Sequence, residues 1–259
     1  MTLPAGPGPG PDYHRAVRYR AVFFDAGETL VHPYPSFPDL LARVLGDAGH
    51  DVTPDAIRER LGVISDRFVR AARDRELWST SPQRSSAFWA EIYQVLLGAM
   101  GLPWTDPLAD RLYTTFTDVS NYRLFDDVVD TLEDLAAAGY ELGLISNFEQ
   151  WLEMLLEHLD VTRFFEVRVI SGAEGVEKPD PRIFRLALDR AGVAPEESVY
   201  VGDTVEFDVR PAEEAGMLGV LLDRRERYPD APHPRIATLS ELPALLGSRG
   251  GEAREAAGG

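Results

Sequence analysis

Short apolar runs of strand length alternate with stretches of helical spacing through the second half of the chain, whereas the first half holds one such run. That run is residues 19–25 (YRAVFFD), a β-rich segment closed by an acid, and it predicts a buried strand that delivers Asp25 to a loop. After the proline-rich His32-Pro33-Tyr34-Pro35 the pattern turns helical. Thr53-Pro54 opens a segment whose Ile57, Leu61, Ile64 and Phe68 share one helical face, and Phe88, Ile92, Val95, Leu96 and Ala99 repeat that spacing.

From Asp126 onward the units alternate regularly. The pattern predicts helix 126–138 stopped by Gly139, strand 140–146, helix 148–159, strand 166–171, and helix 181–191 entered through Asp180-Pro181. Strand 197–202, a helix near 207–215 and strand 217–222 follow. Strands separated by helices of this length predict an α/β fold: a Rossmann-like parallel sheet covered on both faces, with an all-α cap domain inserted after the first strand. The expected division is a core of 19–32 and 123–247 and a helical cap of 33–122. The tails 1–18 and 248–259 have too little apolar content to order themselves.

The charge balance narrows the partners. With 26 Lys+Arg against 43 Asp+Glu, the net charge of −17 argues against a nucleic-acid backbone or an anionic membrane surface as the main partner. Residues 1–18 lack the apolar centre of a signal peptide, and no run approaches the ~20 apolar residues of a membrane span, so a soluble, cytoplasmic protein is expected. Oligomeric state is not readable from this pattern. With no cysteine in the chain, disulfides and thiolate metal sites are excluded. Among the basic residues the only lysine is Lys178, all others being arginine. A compact, flexible ammonium kept at one position points to a specific use.

In open α/β sheets, ligands sit beyond the carboxyl ends of the strands. Those ends carry Asp25, then Ser146-Asn147, then the loop Glu177-Lys178-Pro179, then Gly202-Asp203. Each piece alone is commonplace as a turn or helix cap. Their order along one chain is not. VFFDAGETL at 22–30, LISN at 144–147, EKPDPRIF at 177–184 and VGDTVEFD at 201–208 together resemble the motifs of the haloacid dehalogenase (HAD) superfamily, with the helical insert where that family carries its class-one cap.

The resemblance implies an Mg²⁺-dependent phosphatase-type hydrolase acting on a small phosphorylated metabolite. Asp25 would attack phosphorus to form an aspartyl-phosphate. Ser146 would donate to phosphoryl oxygens, Lys178 would set its ammonium between Asp25 and the phosphoryl group, and Ala26, Gly27 and Asn147 would line the phosphate site. Asp203 and Asp208 would join Asp25 and the carbonyl of Gly27 in holding Mg²⁺. Charge supports the metal: three carboxylates and a phosphate of about −1.5 to −2 face one lysine, and a divalent cation offsets the excess.

One departure stands out. Phosphatases of the family carry a second Asp, which acts as acid and base, two positions after the nucleophile. Here that position is Gly27. Glu28 and His32 are the nearest substitutes by sequence. Haloacid dehalogenases also lack that Asp, but VGDTVEFD keeps both acids of the fourth motif, which favours phosphoryl transfer. Phosphonoacetaldehyde hydrolases need a cap lysine, and 33–122 contains none. A catalytically weak, phosphate-binding regulatory protein is the alternative of a different class. Trp78, Trp89, Tyr93 and Trp104 could wall a substrate, with core packing the stronger expectation for Trp89 and Tyr93. Arg73, Arg75 and Arg84 could meet an anionic tail or simply face solvent.

Overall fold

A computed structural model describes residues 19–247; the two tails expected to be unordered lie outside the described residues. In chain order the elements are β1 (Ala21–Phe24), β2 (Val31–Pro33), α1 (Phe37–Asp47), α2 (Pro54–Arg58), α3 (Gly62–Asp74), α4 (Pro82–Ala99) and α5 (Asp106–Phe116). Then come β3 (Tyr122–Leu124), α6 (Val128–Ala137), β4 (Glu141–Ser146), α7 (Leu152–His158), β5 (Val167–Ile170) and α8 (Ser171–Glu174). The chain continues with α9 (Pro181–Ala191), β6 (Ser198–Gly202), α10 (Arg210–Glu214), β7 (Leu218–Leu222) and β8 (Arg235–Ile236).

Six strands form one parallel sheet in the order β5-β4-β1-β6-β7-β8, so the first strand is central and the chain winds outward from it in both directions. β1 has no polar face, because both faces are covered. Val22 and Phe24 pack with Leu142, Leu144, Leu132 and Leu155 under α6 and α7. Ala21 and Phe23 pack with Ile145, Ile183, Phe184 and Tyr200 under α9. Strands buried on both faces read as continuous apolar runs, which is why they were visible in the sequence.

Helices α1 to α5 build the insert around Leu40, Leu41, Leu45, Leu96 and Leu112. Ser36, Thr53 and Ser81 each accept a backbone N–H at a helix start, followed by proline within the first turn. Two expectations need correction here. The segment opened by Thr53 is two helices, because a tight turn through Arg60 and Leu61 ends α2 before α3 begins at Gly62. On α4 the buried stripe runs through Ser85, Phe88, Ile92, Tyr93, Leu96 and Leu97. It rotates toward Tyr93 and Leu97 and leaves Val95 and Ala99 facing solvent.

The chain crosses between core and insert twice, and the two crossings pair with each other as the antiparallel ribbon β2–β3, with His32 opposite Arg123. The sequence pattern did not show this ribbon, since three-residue strands, one ending in proline, are too short to carry a period. The same holds for β8. Helix 148–159 begins only at Leu152, and the helix near 207–215 opens with a π turn over Val205–Val209.

Candidate active site

The carboxyl ends of β1, β4 and β6 lie side by side at the centre of the sheet, where the winding direction reverses and a crevice is expected. Asp25 follows β1, Ser146 ends β4, and Asp203 follows β6. Ser146 Oγ donates to Asp25 Oδ1 at 2.9 Å. Lys178, from the loop before α9, reaches the same oxygen at 2.8 Å.

All three ammonium protons of Lys178 are used. Besides Asp25 they go to Asp208 Oδ1 at 2.6 Å and to the hydroxyl of Tyr200 at 2.9 Å. Burial works against the charge, but the carboxylates of Asp208 and Asp25 outweigh it and push Lys178 up to about 12. The backbone of Lys178 is held at two points by Asn147, whose Oδ1 accepts the Lys178 N–H at 2.7 Å and whose Nδ2 donates to the Lys178 carbonyl at 2.8 Å. The Asn147 side chain thereby fixes the lysine's main chain with Oδ1 and one of its two amide protons.

Tyr200 was missed in the sequence reading. It is fully buried, with its hydroxyl 2.9 Å from the Ile145 carbonyl and 3.0 Å from Asp208 Oδ1. The available signal was a lone phenol inside the otherwise apolar strand SVYVG, since a buried hydroxyl needs partners. Gly202, read from the sequence only as a strand-end residue beside Asp203, has a steric reason: a Cβ there would stand 2.4 Å from Asp208 Cγ, so only glycine lets that carboxylate approach the strand end.

Asp25, Asp203 and Asp208 each place a carboxylate oxygen within 4.8 Å of the others, all three buried. Their committed oxygens differ. Asp208 spends Oδ1 on Lys178 and Oδ2 on the N–H and hydroxyl of Thr204. Asp25 spends Oδ1 on Ser146 and Lys178, and Asp203 spends Oδ2 on Arg227 at 2.8 Å. Among the described residues no hydrogen bond reaches Asp25 Oδ2 or Asp203 Oδ1. Burial, reinforced by Asp208 and opposed by Arg227, lifts Asp203 to about 7, and burial likewise raises Asp25 against the pull of Lys178. Hard oxygen donors in a buried cluster whose three carboxylates outnumber Lys178 and Arg227 fit a small divalent cation such as Mg²⁺. Among the described residues the carbonyl of Gly27 accepts no hydrogen bond, because the local bridge runs from the Val31 N–H to Ala26 O and from the Glu28 N–H to Val31 O.

Over residues 19–216 the chain matches the haloacid dehalogenase-like hydrolases. It belongs to that family. It is 43% identical over 220 residues to glyceraldehyde 3-phosphate phosphatase of Methanopyrus kandleri, covering 82% of this chain and 86% of that protein. It is 29% identical over 242 residues to haloacid dehalogenase-like hydrolase domain-containing protein 3 of Danio rerio, covering 89% and 97%. The HAD-hydrolase YfnB of Bacillus subtilis, in a structure bound to magnesium, shares the fold with a TM-score of 0.73 at 19% identity, covering 88% and 99%.

In this HAD-like hydrolase neither sequence neighbour of the missing acid is free. Glu28 sits at φ 56° and pairs with Arg225. His32 lies on the ribbon, its Nδ1 2.9 Å from the Pro33 carbonyl and its ring 4.4 Å from that of Phe125. Gly27 has ordinary backbone, and a Cβ added there meets nothing within 4 Å.

The insert is tied to the core beside the lysine loop. Glu177, almost fully buried, accepts from Trp78 N–H at 3.0 Å, Ser79 N–H at 2.7 Å and Ser79 Oγ at 2.6 Å. Burial raises its carboxyl despite these three donors. Trp78 stacks on Phe88 at 4.7 Å in a cluster that includes Phe207 of the core, and Tyr93 is buried within the insert. Trp89 and Trp104 are partly buried and, with Tyr93 and Tyr113, line a small cavity between α4 and α5. Arg73 pairs with its neighbour Asp74 at the surface, Arg75 closes α3 in the left-handed region, and Arg84 caps the exposed Leu77 carbonyl. No described helix is long and apolar enough to cross a membrane.

Proposed function

We propose that this HAD-like hydrolase is an Mg²⁺-dependent phosphatase that passes the phosphoryl group of a small phosphorylated metabolite through Asp25. The observation that carries the reading is the shared oxygen: Ser146 Oγ and Lys178 Nζ both converge on Asp25 Oδ1, at 2.9 and 2.8 Å, beside two further buried acids. Relatives named as phosphatases of a phosphorylated three-carbon sugar support the substrate class.

In the first step a carboxylate oxygen of Asp25 attacks phosphorus, and the bond to the alcohol oxygen breaks with its electron pair staying on that oxygen. In the second, water attacks the aspartyl-phosphate, releasing inorganic phosphate and restoring the carboxylate. Lys178 and Ser146 hold the equatorial oxygens through charge and hydrogen bonding. Bound Mg²⁺, held by Asp25, Asp203 and the Gly27 carbonyl with Asp208 behind them, would polarise the phosphoryl oxygens. With glycine at position 27, the departing alkoxide takes its proton from water.

The test is phosphate release from a panel of phosphorylated metabolites and an aryl phosphate, with and without Mg²⁺. Turnover is expected only with the metal and is expected to vanish in Asp25→Asn. Metal-independent halide release from 2-haloacids would overturn the proposal, and phosphate binding without turnover across the panel would favour a regulatory protein.

A further inference from the structure

Arg227 lies beyond residues 19–216, the part of the chain that matches the family, yet it contacts the acid cluster directly. Its Nη2 donates both protons to one residue: Asp203 Oδ2 at 2.8 Å and the Asp203 carbonyl at 2.8 Å. A carboxylate tied to its own main chain through a third group is restricted in rotation, and among the described residues no hydrogen bond reaches its other oxygen, Oδ1.

The loop that carries the arginine is itself fixed. Asp223, almost fully buried at the end of β7, accepts the Arg227 N–H at 2.8 Å on Oδ1 and the Tyr228 N–H at 2.9 Å on Oδ2. Arg235 reaches the same Oδ2 at 3.2 Å. The guanidinium stem meanwhile borders an open cleft with Val205, Glu206, Arg210 and Tyr228 and keeps 39% of its surface exposed. The side chain therefore borders solvent along part of its length while its guanidinium pairs with a buried acid.

We infer that Arg227 is a positioning residue for the cation clamp: by holding Asp203 Oδ2 and the Asp203 carbonyl together it presents Asp203 Oδ1 to the metal, and Asp223 braces the loop that makes this possible. The inference rests on the cation reading of the acid cluster given above. Groups behind a metal ligand that fix its orientation are typically worth 10- to 100-fold in metal affinity.

The experiment is calorimetric titration of the metal-free protein with Mg²⁺, with Mn²⁺ binding followed by electron paramagnetic resonance, so that no turnover is needed. Arg227→Met, which keeps the stem and removes donors and charge, is expected to weaken Mg²⁺ by about 10-fold or more. Arg227→Lys is expected to fall between Met and wild type. Asp223→Asn, which touches no clamp residue, is expected to weaken binding in the same direction and carries the test if Arg227→Met does not fold. In turnover, the Mg²⁺ concentration for half-activation should rise while KM for the phosphate ester at saturating metal stays within about twofold. Unchanged affinity in the Met and Lys variants would overturn the inference. So would tighter binding, since it would make Arg227 a competing cation. A wild-type protein that binds neither cation would overturn the metal reading as well, a result distinct from wild-type binding that the variants leave unmoved.

Discussion

Gly27 is the residue on which the proposed chemistry turns. It sits where family phosphatases place their acid, its backbone is ordinary, and a side chain there meets open space. Gly27→Asp should therefore fold without strain and restore leaving-group protonation, a contribution typically of ~10² to 10⁴ in rate. Alkyl phosphates should gain about 10²-fold or more and aryl phosphates far less, because aryloxides leave without a proton. Comparing kcat/KM for the two ester classes checks this, and equal gains would show that Gly27 is not the missing acid's position. The four strand-end motifs were readable because a polar group at the end of an apolar run is conspicuous. Tyr200 was hidden because β-branched and aromatic neighbours make a buried Tyr look like ordinary strand filling. Arg227 was hidden because one arginine among so many carries no compositional signal.

Between elements, the junction worth testing is the one at Glu177. Its carboxylate collects two backbone N–H groups and a hydroxyl from the loop joining α3 and α4, next to the lysine that meets Asp25. Glu177→Ala leaves the Trp78 and Ser79 N–H groups buried without a partner, while the Ser79 hydroxyl keeps Ser171 Oγ, and each lost partner costs about 1–3 kcal/mol. A drop in thermal midpoint, together with faster proteolysis within residues 75–81, is the expected outcome. The carboxyl also gives a pH dependence. Its folded pKa is raised above the ordinary 4.5, so the native state holds the proton more tightly than the unfolded chain. Its contribution to stability is therefore greatest below pH 4.5 and declines as pH rises through the folded value. Melting curves across that range should show a smaller decline in Glu177→Gln than in wild type. Sequence reading located both partners' neighbourhoods but not their pairing, because a contact between residues 79 and 177 leaves no local period in either segment. The core strands and helices were legible for the opposite reason: each carries its own repeat. Boundaries moved by one to four residues, most at the helix that begins at Leu152, where caps and tight turns, not apolar spacing, end an element.

Taken as one body, the molecule carries a net charge of −17 while its proposed ligand is an anion. At low ionic strength the overall field opposes approach, and salt shortens its range to about 10 Å at 0.1 M. kcat/KM for a phosphate ester at saturating Mg²⁺ should accordingly rise as NaCl increases from about 20 to about 150 mM, with viscosity and metal activity held constant. A fall would mean that the local cations Lys178 and Arg227, not the global charge, govern encounter.

The ribbon formed by β2 and β3 has a mechanical result. Two separate tethers would let the helical lobe slide and twist independently at each attachment, but here the outgoing and returning strands are zipped to each other, with Val31 opposite Leu124 and Pro33 opposite Tyr122. Such a strap bends as one leaf. Away from that strap, Glu177 adds a second tie between the helical lobe and the core through Trp78 and Ser79.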